Sequence, residues 1–371
     1  MFSVERVLKA SHLEEPDIVP FVDVMDATMI KAILGREAKS PYDECKAYKK
    51  VGMDAYFIWD PGVAASFADD LKEAALYQGG IKILDDKSWI DGWGRKWIYY
   101  KDMGVTWYAE GTIRHPEDLE KLHMPESVSP VRIDFFRRAI KATKKWGLAI
   151  VAGLHDAFEI PSEMRGIDQF LLDYYRNPSF AEKLIKISMD YNLELAEALA
   201  DEGVDLIASG DDYAWRTGPM MPPKLFEKFI APYLRELVDV SHSRGLPFFK
   251  HTDGNVWPIM DYLIESGIDI LNPLEPTAGM DLAEAKLKIG DKLCLCGNVD
   301  PVRILSEGTI EEVYEAVKDC IQKAAPGGGY MFASGGGGFT GSNPENVLAM
   351  AEAKKKYDRY GIVNDYRGLG Y

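Results

Sequence analysis

A histidine and an aspartate separated by one residue form the clearest candidate for chemistry in this sequence. His251 and Asp253 come directly after the apolar run 247–250, where a predicted strand ends. Side chains two positions apart on an extended chain point to the same side, so this imidazole and carboxylate can bind one cation or share a proton. Zinc accepts nitrogen and carboxylate oxygen ligands and keeps a position open for a substrate. The structural alternative is a strand-end histidine that is only hydrogen-bonded to its neighbouring carboxylate.

A pair of adjacent aspartates forms a second candidate. Asp211 and Asp212 follow the apolar run 206–210. They can serve as catalytic acid and base, as further metal ligands or as groups that orient the histidine. The structural alternative is a pair that caps the following helix.

Three further polar residues at predicted strand ends are candidates for binding a substrate: Asp60, Glu159 and Asn298. The structural alternative for Asp60 is a turn residue before Pro61 and Gly62. His155, close to Glu159, is interpreted as a hydrogen-bonded loop residue. If all these strands belong to one barrel, their polar ends face one another around a single opening.

The elements that must position these residues are apolar runs that alternate with helical segments. Strands are predicted at 18–24, 55–59, 148–154, 206–210, 247–250, 270–273, 293–296 and 330–333. Helices are predicted at 40–51, 131–146, 179–202, 223–244, 256–266, 281–289, 309–325 and 343–360. This alternation predicts an α/β protein with a (β/α)8 TIM barrel as a single domain over residues 1–371, and a doubly wound open sheet is the alternative.

Residues 80–114 interrupt this alternation with short runs that are split by Gly and Asp. The pattern predicts an aromatic-rich β-hairpin or small meander inserted between barrel strands. Its aromatic residues are Trp89, Trp93, Trp97, Tyr99, Tyr100, Trp107 and Tyr108. They can either line a pocket for a flat ligand, with Trp93 as the candidate substrate contact, or pack the insertion onto the barrel.

Composition narrows the class of partner. The chain has 371 residues and a net charge of −16, which argues against nucleic acid and anionic membranes as partners. No charged and apolar leader opens the sequence, and no apolar run approaches the length of a membrane span, so a cytoplasmic protein is expected.

Cys294 and Cys296 share one face of a predicted strand, either as small core residues or as metal ligands. The glycine run 335–338 frees the backbone after the last strand, where barrels often bind phosphate.

Several segments carry a resemblance to a known family. They read KHTDGNVWPIMDYLIESGIDILNPLEPTAGMDLAEAK, LCGNVDPVRIL and GGYMFASGGGGFTGSNPENVLAM, with GDDYAWRTGPMMPPKLFEKFIAPYLREL and EGTIRHPEDLEKLHMP upstream. Together they resemble the uroporphyrinogen decarboxylase superfamily over roughly residues 15–360. This resemblance implies a single (β/α)8 barrel and one of two chemistries.

One branch of that superfamily decarboxylates uroporphyrinogen with an arginine-rich segment near the first strand. The corresponding stretch here, 16–35, contains no arginine, although Asp60 falls where that branch has its pyrrole-binding aspartate. A substrate with eight carboxylates needs cationic partners, so the true decarboxylase activity is not expected. A lyase that acts on a small carboxylic acid, with Asp60 stabilising a developing cation, is the alternative function. A barrel that only binds or senses a ligand is the alternative outside catalysis.

The other branch contains corrinoid-dependent methyltransferases, and its thiol-methylating members hold zinc with H-x-C and a later Cys. Here Asp253 replaces the first Cys, and the later position falls at about Gly337, so His251 alone matches. The resemblance therefore implies the donor side of this chemistry, as in the O-demethylase systems of anaerobes. The methyl group of a small O-methylated substrate, with a methoxyaromatic compound as the candidate, would move to the cobalt of a corrinoid protein. Because the chain has no D-x-H-x-x-G motif, the cobalamin would be carried by that partner, and zinc at His251 and Asp253 is a second expected cofactor.

Overall fold

The computed structural model describes residues 1–61, 77, 79–100, 105–336, 339 and 341–360. The strands are β1 (Ala55–Trp59), β2 (Lys82–Ile83), β3 (Ser88–Ile90), β4 (Arg95–Tyr100), β5 (Val105–Gly111), β6 (Ala149–Leu154), β7 (Leu206–Ser209), β8 (Ala214–Trp215), β9 (Gly218–Pro219), β10 (Phe248–His251), β11 (Ile270–Asn272), β12 (Cys294–Val299) and β13 (Tyr330–Ser334). The α-helices are α1 (Ser3–Ser11), α2 (Ala27–Leu34), α3 (Pro41–Val51), α4 (Pro130–Trp146), α5 (Glu159–Arg165), α6 (Ile167–Arg176), α7 (Pro178–Glu202), α8 (Pro223–Phe229), α9 (Ala231–Ser243), α10 (Met260–Glu265), α11 (Leu282–Ile289), α12 (Ile310–Ala324) and α13 (Pro344–Tyr357).

Seven strands form one parallel sheet in the order β1-β6-β7-β10-β11-β12-β13. This order is also their order along the chain, as in a sheet built from successive strand–helix units. Short 3-10 helices at Pro116–Lys121, Trp257–Ile259 and Pro276–Ala278 and a π-helical turn at Pro301–Ser306 lie in the connections. The predicted TIM-barrel class is confirmed.

The extended segment 18–24 closes the sheet into a ring. Phe21 bridges Phe332 of β13 in parallel, and the Val22 N–H donates to the Phe332 carbonyl at 2.9 Å. On the other side, the Asp54 N–H donates to the Phe21 carbonyl at 2.8 Å, next to β1. The predicted strand at 18–24 is therefore present as the closing segment, but it is wrong as a regular strand because only one bridge forms.

The core has two layers, as expected for a barrel. A small cluster of alternate strand residues fills the interior of the ring, and it includes Phe57, Phe249, Cys294 and Cys296. A larger apolar cluster fills the space between the strands and the helices. The strand cysteines are thus small residues of the barrel interior, and both are buried and free.

The aromatic-rich insertion forms a four-stranded antiparallel sheet, β2-β3-β4-β5. Trp93 is 1% exposed and packs edge-on against Tyr191 of α7, with ring centroids 5.0 Å apart. Arg95 is also buried, and its guanidinium pairs with Asp91 at 2.8 Å and with Glu163 of α5 at 2.9 Å. Residues 101–104 of the predicted insertion lie outside the described residues.

The helices differ from the sequence prediction in two ways. The predicted helix 223–244 is divided into α8 and α9 at Ile230, because Pro232 lacks the N–H that a continuous helix would use. Helices α1, α2, α5 and α6 were not predicted.

Among the described residues, no helix combines the length and apolar character needed to cross a membrane.

Candidate active site

A cavity of about 290 Å³ lies at the carboxyl ends of the parallel strands. This is the end of a barrel at which side chains from several strands converge. Its apolar lining consists of Val22, Val24, Phe57, Trp59 and Phe249. Its polar lining consists of Asp23, His155, His251 and Asn272, and glycines 210 and 336 complete the wall. Two histidines from different strand ends therefore face one apolar cavity.

The Trp59 indole shapes the apolar wall of the cavity. It lies against Gly153 of β6, the strand that pairs with β1, and against Gly210, which follows β7. A Cβ atom at Gly153 would stand 2.3 Å from the indole ring, closer than any real side-chain contact. The absence of a side chain at this position is what allows the ring to lie flat beside the cavity.

His251 is held by Asn272 in an orientation suited to metal binding. The His251 Nδ1 atom lies 2.6 Å from Asn272 Oδ1, and the Asn272 amide nitrogen donates to the Cys296 carbonyl at 3.2 Å. The amide oxygen therefore faces the ring, so Nδ1 carries a proton, and Nε2 has a free lone pair when the ring is neutral. Nε2 lies 3.8 Å from an oxygen of Asp212 and 4.0 Å from an oxygen of Asp253.

Asp212, His251 and Asp253 form a group whose ligand atoms all lie within 4.8 Å of one another. The Oδ1 atom of Asp253 is buried and has no hydrogen-bond partner among the described residues. Burial raises the pKa of Asp253 to about 6, with His251 acting against this shift and Asp212 adding to it. A buried carboxylate oxygen without a partner is costly, and a bound cation would relieve that cost. The residue types and spacing of this group fit a zinc ion or a similar divalent metal.

His155, Glu159 and Asp211 form a second group, and its hydrogen bonding is complete. His155 Nδ1 lies 2.8 Å from Asp211 Oδ1 and 2.9 Å from Glu159 Oε2. Asp211 is fully buried and also accepts the backbone N–H groups of residues 156, 158 and 159, at 2.8 to 3.0 Å. Burial opposes the charge on His155, but the two carboxylates prevail and its pKa lies well above the ordinary 6.5. The two carboxylates therefore favour the protonated form of this imidazole beside the cavity.

The two histidine groups are connected through the loops after β6 and β7. The Asp212 N–H donates to Glu159 Oε1 at 3.3 Å, and the Asp253 N–H donates to Asp212 Oδ1 at 2.7 Å. Below them, the buried Lys250 ammonium donates to Asp156 at 2.8 Å and to the Asp211 carbonyl at 3.0 Å. The predicted residues His251, Asp253, Asp211, Asp212 and Glu159 are thus brought together, and the interpretation of His155 as a hydrogen-bonded residue agrees with its contacts.

Asp60 and Trp93 lie away from the cavity. Asp60 is fully buried, pairs with Arg132 and accepts the Tyr191 hydroxyl at 2.6 Å. Trp93 lies beside the same tyrosine, so both predicted substrate contacts belong to the packing of the insertion and α7. Their contact with a substrate stays a prediction without geometric support.

Asn298 also lies outside the cavity lining. Its side-chain amide donates to the carbonyl groups of Leu274 at 2.9 Å and Met280 at 3.0 Å, which holds the loop after β11. Its predicted role in substrate binding likewise stays without geometric support. Gly337, where the later zinc-binding Cys would fall, and Gly338 lie outside the described residues.

Asp23 is a cavity residue that the sequence reasoning missed. Its carboxylate accepts the Ser334 N–H at 2.6 Å and the Val24 N–H at 2.8 Å, and it lines the cavity. Burial raises its pKa to about 6, although these hydrogen bonds act in the opposite direction. A charged residue between two valines at the end of the predicted first strand was the available signal.

A closed parallel barrel with acid–base side chains at the carboxyl ends of its strands is the architecture of a (β/α)8 enzyme. The model of the family "Uroporphyrinogen decarboxylase (URO-D)" matches residues 98–357. The chain therefore belongs to the uroporphyrinogen decarboxylase family, as its sequence motifs predicted.

Similar proteins carry both chemistries of the family. The methylcobamide:CoM methyltransferase MtbA of Methanosarcina acetivorans is 26% identical over 249 residues, which are 66% of this chain and 70% of that protein. The uroporphyrinogen decarboxylase of Coxiella burnetii is 27% identical over 188 residues, 49% of either protein. A solved methyltransferase from Methanosarcina mazei has a TM-score of 0.72 at 20% identity, with 96% of this chain and 99% of that chain covered. At that identity the structural similarity supports the fold.

Proposed function

We propose that this protein is a corrinoid-dependent methyltransferase that moves a methyl group from a small O-methylated substrate to the cobalt of a corrinoid protein. A methoxyaromatic compound is the candidate donor. The observation that carries the proposal is a small, aromatic-walled cavity lined by His251, whose imidazole forms a candidate metal-binding group with Asp212 and Asp253. The similarity to MtbA supports methyl transfer as the reaction class.

The size and lining of the cavity favour a small aromatic ligand. A volume of about 290 Å³ is at the lower end for ligand pockets and suits one substituted ring. Phe57, Trp59 and Phe249 supply ring faces and edges that pack well against such a ligand. Within the described part of the chain, the lining contains no lysine or arginine to bind the carboxylates of a porphyrinogen. These features argue against uroporphyrinogen as the substrate.

The group formed by His251, Asp212 and Asp253 would hold the metal. Nitrogen and carboxylate ligands without cysteine suit a Lewis-acidic zinc rather than one that activates a thiolate. A metal bound there would supply stabilisation of negative charge on the oxygen that loses its methyl group. The sequence departure at Asp253 therefore favours the donor half of the chemistry over methylation of a thiol.

The test mixes the purified protein with zinc, a cob(I)alamin-carrying protein and methoxyarenes. We expect the cob(I)alamin absorbance to convert to that of methylcobalamin. His251→Ala should slow this conversion by about 10²- to 10⁴-fold. His242→Ala is the matched control, because that surface imidazole pairs with Asp269 at 2.7 Å, and it should leave the rate unchanged.

Two results would count against this function. No methylation of cobalt with any O-methylated donor would remove the proposed substrate class. Release of CO2 from a small carboxylic acid without corrinoid would instead support the lyase alternative.

A further inference from the structure

We infer that His155 forms a second, metal-independent subsite, which binds the anionic oxygen of the ligand and protonates the oxygen that departs in methyl transfer. This inference rests on the proposed function and adds a catalytic residue to it. The ligand class is a phenolate, or another small aromatic oxyanion, that enters the cavity lined by both histidines. The role differs from that of His251, which faces the candidate metal ligands.

The hydrogen bonds of the ring determine which atom is available. Nδ1 of His155 is shared between Asp211 at 2.8 Å and Glu159 at 2.9 Å, so the N–H at this atom is fully used. Asp211 in turn is fixed by three backbone N–H donors and cannot turn away. The ring is therefore held at the cavity wall with Nε2–H as the donor left for a ligand.

The two histidine groups differ in a way that separates their roles. A metal in the His155 group would have to replace the proton at Nδ1 and share Asp211 with its backbone donors. In the His251 group, by contrast, gaps of 3.8 and 4.0 Å between Nε2 and the carboxylate oxygens leave room for an ion. The unpartnered Asp253 oxygen lies in that second group only. We conclude that the His155 group holds a proton and the His251 group holds a cation.

The protonation state of His155 agrees with this assignment. Burial opposes the charged ring, but the hydrogen bonds from Nδ1 to Asp211 and Glu159 raise its pKa well above 6.5. A buried imidazolium in an apolar cavity attracts an oxyanion more strongly than it would in water. No lysine or arginine is among the described residues that line the cavity.

The proposed step is balanced in both protons and electrons. When the methyl group passes to the cob(I)alamin nucleophile, the electron pair of the C–O bond remains on the aryl oxygen. That oxygen takes the proton from Nε2 of His155, and the products are a neutral phenol and a neutral imidazole. Nδ1–H stays bonded to Asp211 and Glu159 throughout, so the ring keeps its position and can be reprotonated from solvent.

The first test uses 4-nitrophenol, a probe that needs no methyl transfer. Near the pH at which the free probe is half ionised, we expect the wild-type protein to bind it mainly as the yellow phenolate. His155→Gln should reduce the bound phenolate absorbance at least tenfold. Glu159→Gln, which leaves the backbone contacts of Asp211 in place, should produce a smaller loss in the same direction. His242→Gln serves as the control and should bind the probe as the wild type does.

Three outcomes of this binding test would overturn the subsite. The first two are failure of the folded wild-type protein to bind the probe and binding of the probe as the neutral phenol. The third is phenolate binding at the wild-type level by both His155→Gln and Glu159→Gln. Circular dichroism of each variant shows whether a loss of binding reflects loss of folding. If His155→Gln unfolds, Glu159→Gln still decides the matter.

The second test separates this inference from the proposed function. If His155 protonates the leaving oxygen, His155→Gln should lower kcat about 10²- to 10⁴-fold for unsubstituted methoxybenzenes. The loss should be much smaller for nitro-substituted methoxybenzenes, whose phenolates leave without a proton. Equal loss for both donors would reject the acid role while the methyltransferase function stands. No turnover of any donor by the wild type would reject the proposed methyltransferase function. The nitrophenol binding test would still show whether His155 forms an oxyanion subsite.

Discussion

At the scale of single residues, the completeness of hydrogen bonding distinguishes two aspartates of the site, Asp211 and Asp253. Asp211 accepts an imidazole and three backbone N–H groups, so its carboxylate is satisfied and it positions other residues. Asp253 keeps a buried oxygen without a partner among the described residues. The first arrangement stabilises the fold, whereas the second is available for a ligand. Sequence alone presents both as an aspartate after a strand.

The pairing of His155 predicts a stability that depends on pH. Its folded-state pKa is raised above the ordinary 6.5, so its contribution is fully present below that value and is lost as pH rises through the raised pKa. We expect His155→Gln to lower the free energy of unfolding by about 1.5–3 kcal/mol at pH 6, and by progressively less in alkaline solution. Urea unfolding of both proteins from pH 6 to pH 10 measures the difference. A cost that stays constant across this range would contradict an ionised pair.

The structure brings the predicted site residues together where neighbouring strand ends converge and separates them where tertiary packing determines their partners. His251, Asp253, Asp211, Asp212 and Glu159 come together because parallel strands end at one edge. The sequence could not show that Asp60 would be paired with Arg132, which lies on a helix 72 positions later. That contact depends on tertiary packing, which a local pattern does not contain.

At the scale of elements, strand β10 holds the loops after β6 and β7 through one buried side chain, that of Lys250. Lys250 and Asp156 are each 0% exposed, and the ammonium also binds the carbonyl of Asp211. We expect Lys250→Met to lower the free energy of unfolding by about 3–5 kcal/mol, because it leaves the Asp156 carboxylate buried without its charge partner. Equilibrium denaturation with urea measures this cost.

Two further variants test the cause of that loss. The double variant Lys250→Met/Asp156→Leu should regain much of the stability, since a buried apolar pair can replace a buried ion pair. Lys186→Met is the matched control, because its pair with Asp190 is exposed and should contribute less than about 0.5 kcal/mol. A double variant as unstable as the single one would show that the lysine acts through packing instead.

Element prediction succeeded where an apolar run is bounded clearly on both sides. The sequence places the strand 55–59 at the bounds of β1, and its periodic helices match α3, α4, α7 and α12 to within a residue or two. It missed α5 and α6, which follow β6 directly and carry the site residue Glu159. The start of α5 is held by Asp211, which accepts N–H groups there and follows a different strand, β7.

At the scale of the whole molecule, the barrel depends on a closing segment that is not a regular strand. Asp54, just before β1, accepts the Phe21 N–H at 3.0 Å, the Ser3 hydroxyl at 2.9 Å and the Arg6 guanidinium at 2.5 Å. This buried carboxylate therefore binds segment 18–24 and α1 to the ring at once. Strand–helix alternation predicts a closed barrel, but it cannot reveal that one side chain substitutes for missing ladder hydrogen bonds.

Replacing that carboxylate should open the ring at one place. Asp54→Ala leaves the Phe21 N–H and the Arg6 guanidinium without their buried partner, so we expect a loss of about 3–5 kcal/mol in urea unfolding. Hydrogen exchange should accelerate together in segment 18–24 and in β13, because each is the other's neighbour. Asp17→Ala removes the exposed partner of the same arginine and should cost less than about 1 kcal/mol. Faster exchange confined to α1, with β13 unchanged, would mean that closure does not depend on Asp54.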